Sequence, residues 1–215
     1  MPIETEIKFC VADPVALTGQ LESAGFRLET ARSFESNVLY DTPDRQMRAR
    51  TEILRIRSYA GRWTLTYKRL PDSHPSDRSS SLGWEIGAGP ASEIVRHKHR
   101  VETETGIANG DALAEFFLSL GLAAAFKYEK WRTEWTDGEG HCVIDETPIG
   151  DYAELEGSSA WIDRAAARLG IDPARYITLS YGRLFEAWCQ EHHNTVNDLT
   201  FAAIAQSLRP QSLRP

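Results

Sequence analysis

The sequence predicts an α+β fold in which eight strands close into a mostly antiparallel β-tunnel, a barrel with a charged interior covered by helices. Three observations carry that expectation. Short segments alternating apolar and charged residues recur along the chain, the period of a strand with two unlike faces. Turn chemistry such as Tyr59-Ala60-Gly61 and Asp137-Gly138 separates them, and helical stretches interrupt the series without a regular strand–helix–strand rhythm. The charges come as like-charged doublets on one face, a costly arrangement unless something neutralises them.

Taken in order, Ile3 to Phe9 alternates with period 2. Asp13-Pro14 supplies an N-cap and a proline at the first helical position, Leu17, Leu21 and Ala24 form the helical stripe, and Gly25 ends it. Further strands are expected at 34–40, 53–58, 62–68, 100–105, 127–135, 141–146 and 151–156. A second helix is expected from an Asp111 N-cap through Leu113, Phe116, Phe117 and Leu120. A third opens at Ser158 or Ser159 and ends at Gly170, and a fourth spans 180–192 with Leu184, Phe185 and Trp188 on one stripe. Residues 70–98, rich in Pro, Gly and Ser, read either as a mobile flap or as a plain disordered insertion. The Ser-Leu-Arg-Pro repeat near the end suggests no function, so the division expected is a tunnel domain over 1–195 and a tail over 196–215.

Composition narrows the function. A net charge of −7 argues against general binding to a nucleic-acid backbone, so an anionic ligand must meet a locally concentrated basic site. No apolar run reaches the roughly 18 residues of a membrane span, and cytoplasmic residence is the expectation. Cys10, Cys142 and Cys189 are widely scattered and read as buried small hydrophobes.

Residues two apart on a strand share a face. Glu4, Glu6 and Lys8 therefore point one way, opposite Ile3, Thr5, Ile7 and Phe9. The same pattern sets Arg55 and Arg57 against Leu54 and Ile56, Lys68 against Leu65 and Tyr67, and Glu102 and Glu104 against Val101 and Thr103. Later, Lys130 and Arg132 oppose Trp131, Asp145 opposes Ile144, and Glu154 and Glu156 oppose Ala153 and Leu155. Any one of these taken alone reads as a half-buried antiparallel strand with a solvated outer face. Together, carboxylate doublets suit hard divalent cations and cationic doublets suit phosphate oxygens. His97-x-His99 reads either as a metal pair on one face or as surface histidines.

Glu4-Thr5-Glu6-Ile7-Lys8 matches the ExExK signature of the CYTH, or triphosphate tunnel metalloenzyme, superfamily. Leu39-Tyr40-Asp41-Thr42-Pro43, Leu54-Arg55-Ile56-Arg57, Thr66-Tyr67-Lys68, Arg100-Val101-Glu102-Thr103-Glu104, Lys130-Trp131-Arg132, Val143-Ile144-Asp145 and Gly150-Asp151-Tyr152-Ala153-Glu154-Leu155-Glu156 follow in that superfamily's order. The resemblance implies that Glu4, Glu6, Asp145, Glu154 and Glu156 hold Mg²⁺ or Mn²⁺, two ions in all. It implies that Lys8, Arg55, Arg57, Lys68, Lys130 and Arg132 clamp a triphosphate. Glu102 and Glu104 match an acidic strand that orients the basic residues or assists a second metal. Arg183 stands in for a C-terminal basic residue of some relatives.

Such a cradle is chemically sufficient for phosphoryl transfer. Hydrolysis of tripolyphosphate or of a nucleoside or thiamine triphosphate is the first expectation. The alternatives are a class IV adenylyl cyclase and a non-catalytic polyphosphate or nucleotide sensor. The partner expected is a triphosphate-containing small molecule, with no nucleic acid and no membrane; a homodimer stays open.

Overall fold

The computed structural model describes residues 3–71 and 97–208. Its strands are β1 (Ile3–Val11), β2 (Arg27–Asp41), β3 (Ile53–Tyr59), β4 (Arg62–Arg69), β5 (Lys98–Ile107), β6 (Ala123–Thr136), β7 (His141–Thr147) and β8 (Gly150–Glu156). They close into an antiparallel barrel in the order β1-β5-β4-β3-β2-β6-β7-β8. The helices are α1 (Pro14–Ser23), α2 (Gln46–Ala49), α3 (Gly110–Ser119), α4 (Ser159–Arg168), α5 (Tyr181–Glu191) and α6 (Phe201–Ser207).

The alternating pattern sorts the two faces of the barrel wall. On β1, Ile7 and Phe9 pack beneath α1 and α4 with Leu17, Leu21, Trp161 and Ile162, while Glu6 and Lys8 turn inward and are buried as well. A second cluster seats α5 and α6 on β6 and β8 through Tyr128, Tyr152, Phe185 and Ile204. A third seats α3 on β2 and β3 through Tyr40, Ile56 and Phe117. The apolar outer face is thus the core of the molecule, and the helices shield it from water.

All helix starts but that of α2 follow side-chain capping. Asp13 accepts from the amides of Val15 and Ala16, and Ser158 from that of Trp161. At α3 the cap is Asn109, not Asp111: its Oδ1 accepts from the Ala112 amide at 3.0 Å, and Asp111 falls in the first turn. β2 starts seven residues earlier than expected. Its first part is mostly exposed and lacks the apolar alternation that would have marked it.

Two further expectations change. Contacts with the barrel continue past 195: Leu199 is fully buried, exchanges backbone hydrogen bonds with Lys127 and Glu129, and leads into α6. Residues 196–208 therefore pack on the barrel, while 209–215 lie outside the described residues, as do 72–96 of the stretch read as a flap. Of the cysteines, Cys142 is buried, but Cys10 is exposed near the end of β1.

Candidate active site

Closure of the barrel brings the inward charges around one cavity of about 290 Å³. Its wall is formed by Glu4, Glu6 and Lys8 of β1, Arg55 and Arg57 of β3, Lys68 of β4, Glu102 and Glu104 of β5, Lys130 and Arg132 of β6, and Glu154 and Glu156 of β8. Lys98 joins them, and Ser180, Tyr181 and Gly182 at the start of α5 close one side. Of the residues assigned to the metal or the clamp, Asp145 alone is absent from this lining.

Asp145 lies behind the wall, fully buried. Its Oδ1 accepts from Arg132 Nε at 2.7 Å; its Oδ2 accepts from Arg132 Nη2, Lys130 Nζ and the Tyr181 hydroxyl at 2.6, 2.9 and 2.6 Å. Four donors fill both oxygens, so in this arrangement the carboxylate anchors basic side chains. Glu35 does the same from β2. It accepts from Arg57 Nη2 at 2.7 Å and Asn37 Nδ2 at 2.9 Å, with Lys130 at 3.4 Å. Burial would raise the Glu35 carboxyl, but Lys130, Arg132 and Arg57 outweigh it and hold it far below the usual range. Two buried anions thus fix three cations, an arrangement tolerable in low dielectric only because every partner is present.

The remaining cations have other partners. Arg55 donates to the Tyr128 hydroxyl and Thr66 Oγ1, and Thr66 in turn donates to Glu104 at 2.8 Å. The Nε atoms of Arg55 and Arg57 are buried without a hydrogen-bond partner, leaving each a donor to spare. Lys8 pairs with Glu154 and lies 4.3 Å over the Tyr181 ring, with Lys130 at 4.7 Å over the same ring. Burial opposes the Lys8 charge, but Glu154 and Glu6 prevail and raise its pKa.

The acidic side is differently balanced. Lys68 Nζ donates to both oxygens of Glu4 at 2.7 Å and lies 3.1 Å from Glu102; Lys98 donates to Glu6 at 2.5 Å. Glu4 is nevertheless raised, by burial and by Glu6 and Glu102 against the pull of Lys68. Glu156, exposed at the rim, is pushed up to about 7 by desolvation and by Glu4 and Glu6. Negative charge is therefore in excess around Glu4 and Glu156, as a cation site made of oxygen donors requires, whereas Lys98, Lys8 and Lys68 outweigh burial and hold Glu6 below the usual range. As the side chains stand, no three metal-ligating groups among the described residues converge on one point; the lysines occupy Glu4 and Glu6 instead.

Other candidates lie elsewhere. Arg183 pairs with Glu186 at 2.7 Å and does not line the cavity. His97 and His99 reach different partners, Asp163 and Thr5. Sequence reasoning missed Glu35, Lys98 and Tyr181. The period-2 reading of 34–40 puts Glu35 and Asn37 on one face, but without a like-charged doublet they carried no alarm. Lys98 stood at the edge of an aperiodic segment, and Tyr181 looked like ordinary helix.

The sequence profile described as the CYTH domain matches residues 2–161. A Methanocaldococcus jannaschii protein named "Putative adenylate cyclase" is 27% identical over 157 residues, covering 73% of this chain and 77% of that protein. A solved Vibrio parahaemolyticus structure, also described as a "putative adenylate cyclase", aligns with a TM-score of 0.67 at 19% identity over 86% of this chain and 98% of its own. A Hippeastrum protein, described as a "putative adenylyl cyclase" that reveals a dominant triphosphatase activity, aligns at 0.50 and 16% identity over 90% and 97%. At these identities the structures speak for the fold, and the profile, spanning most of the chain, speaks for descent. An eight-stranded tunnel with a charged interior and a profile match over β1 to β8 make this chain a member of the CYTH domain family.

Proposed function

We propose that the chain is a divalent-metal-dependent enzyme that binds a triphosphate inside the tunnel and hydrolyses it. The observation that carries this reading is the gathering of Lys8, Arg55, Arg57, Lys68, Lys130 and Arg132 around one cavity, in a protein whose net charge is −7. Six cations converging on one cavity give a polyanion charge-assisted donors from several sides, and the carboxylates that pair with them hold the arrangement in place.

Arg57, Lys130 and Arg132, braced by Glu35 and Asp145, hold phosphate oxygens in fixed positions. Such preorganised donors stabilise charge without reorganising at the moment of reaction. Glu4, Glu6 and Glu156, with Glu154 beside them, suit Mg²⁺ or Mn²⁺; Asp145 serves as the clamp's anchor. A bound cation supplies neutralisation of phosphate charge and a more acidic bound water. Lys68 and Lys98, which cover Glu4 and Glu6, become free to turn to phosphate when these carboxylates take another partner.

The names of two relatives favour a second reading, cyclisation of ATP to cyclic AMP and pyrophosphate by the same clamp. One assay separates the two. The protein is supplied with tripolyphosphate, ATP and thiamine triphosphate in Mg²⁺ or Mn²⁺, and phosphate, pyrophosphate and cyclic AMP are scored. Phosphate release is the expected result; cyclic AMP with pyrophosphate selects the cyclase, and no turnover of any triphosphate refutes both.

A further inference from the structure

Among the described residues, three hydroxyls hydrogen-bond to the clamp cations or to their anchors, and they differ in where the proton goes. An arginine only donates and a carboxylate only accepts, so the direction of each bond is fixed. Tyr181 donates to Asp145 Oδ2 at 2.6 Å. Thr66 accepts from Arg55 Nη2 at 3.1 Å and donates to Glu104 Oε2 at 2.8 Å. Tyr128 accepts from Arg55 Nη1 at 3.0 Å, and its own proton goes to none of the described residues. Asn37, paired with Tyr128 across β2 and β6, keeps its Oδ1 buried without a hydrogen bond, so it does not take that proton.

The position of Tyr128 gives that proton a use. Tyr128 lines the cavity, whereas Thr66 is fully buried and absent from the lining. On β6 it lies one inward step before Lys130. Its ring stacks with Phe126 at 5.8 Å and with Tyr181 at 6.1 Å, so packing fixes the phenol before any ligand arrives. A cation that donates to a phenol oxygen also polarises the O–H bond and makes it the stronger donor.

We propose that Tyr128 is a further phosphate-binding residue of the tunnel: its oxygen accepts from Arg55, and its proton is donated to an oxygen of the bound triphosphate. An ionised phosphate oxygen only accepts, which suits a hydroxyl whose acceptor side is already taken. Thr66, with its proton spent on Glu104, is by contrast a positioning residue that holds the Arg55 guanidinium. The inference rests on the reading of the cations as a triphosphate clamp.

Tyr128→Phe and Thr66→Val, each made alone and together with Arg55→Ala, separate the two roles. Both substitutions nearly preserve shape, and melting curves check that the variants fold. Binding of tripolyphosphate to the full chain is measured by calorimetry with chelator present. Tyr128→Phe should weaken binding about tenfold, and most of that loss should persist in the Arg55→Ala protein, because the donated proton meets the ligand directly. Thr66→Val should also weaken binding, but cost nothing further once Arg55 is gone, because it acts only through that side chain. Unchanged affinity in Tyr128→Phe overturns the inference. So does a Tyr128 loss that vanishes with Arg55→Ala, which would make the phenol a mere prop for Arg55. A Thr66 loss that persists there would report a general disturbance of the wall and overturn it as well. All three outcomes leave the clamp standing. Should the unsubstituted protein not bind tripolyphosphate, the clamp itself falls, and the inference with it.

Discussion

Glu156 keeps its proton to about pH 7 because desolvation and the neighbouring Glu4 and Glu6 oppose its ionisation. In the unfolded chain the same carboxyl ionises near 4.5. Between those values the folded state holds a proton that the unfolded state has released, so stability falls as pH rises through the window and levels off above it. Glu4, also raised, adds the same sign. Melting temperatures of the metal-free protein should therefore decline from pH 5 to pH 7.5, and Glu156→Gln should flatten that slope while cutting turnover by roughly 10²-fold. Equal slopes in the two proteins would show that Glu156 is not the titrating group. Tyr181 offers a second test, since its hydroxyl donates to Asp145 while its ring faces Lys8 and Lys130. Tyr181→Phe keeps the ring and leaves Asp145 one donor short, for a loss of about 1–3 kcal/mol in stability. Tyr181→Leu also removes the surface under both lysines, and kcat/KM should fall further, by about another tenfold. Identical kinetics in the two variants would assign the whole effect to the hydroxyl.

Among elements, the β6–β7 hairpin and α4 depend on one tryptophan. Trp161 lies against Gly140 and Gly157, and its Nε1 donates to both oxygens of Asp137, which also accepts from Arg168. A Cβ at Gly140 would meet the indole at 2.6 Å, closer than packed atoms approach. Gly140→Ala should therefore destabilise by about 1–3 kcal/mol, read as a lower melting temperature. The contact lies outside the tunnel, so the folded fraction should retain normal kinetics. A variant that melts normally would show that α4 shifts at no cost. Asp137 and Gly138 were legible as a turn, but the turn's second use as a socket for Trp161 was not, because α4 follows more than twenty residues later.

For the whole molecule, the C-terminal segment decides what counts as one domain. Leu199 is fully buried and forms backbone hydrogen bonds to the strand that carries Lys130 and Arg132, and Ile204 of α6 is buried with it. A protein ending at residue 195 uncovers β6 and α5, and losing a buried leucine alone costs about 2–5 kcal/mol. It should melt well below the full chain or fail to fold, whereas a protein ending at residue 208 should melt normally. Equal melting of the shorter form would restore the boundary expected from sequence.

By itself the sequence determined the strand faces, the antiparallel tunnel, the caps of α1 and α4 and most of the charged residues that share the cavity. Those properties are local: a two-residue period, a capping side chain or a glycine at a turn acts over a few residues, and a run of Glu-x-Glu-x-Lys shows its faces without a partner. Only the tertiary structure decided which charges oppose which. Glu35 and Asp145 became anchors, and Lys68 and Lys98 covered Glu4 and Glu6, because barrel closure set the register between strands up to 150 residues apart. It also decided that the segment after 195 belongs to the fold, since the burial of Leu199 depends on β6 and α5 and not on its own neighbours. Pairing and burial are properties of distance in space, and no period within a single segment encodes them.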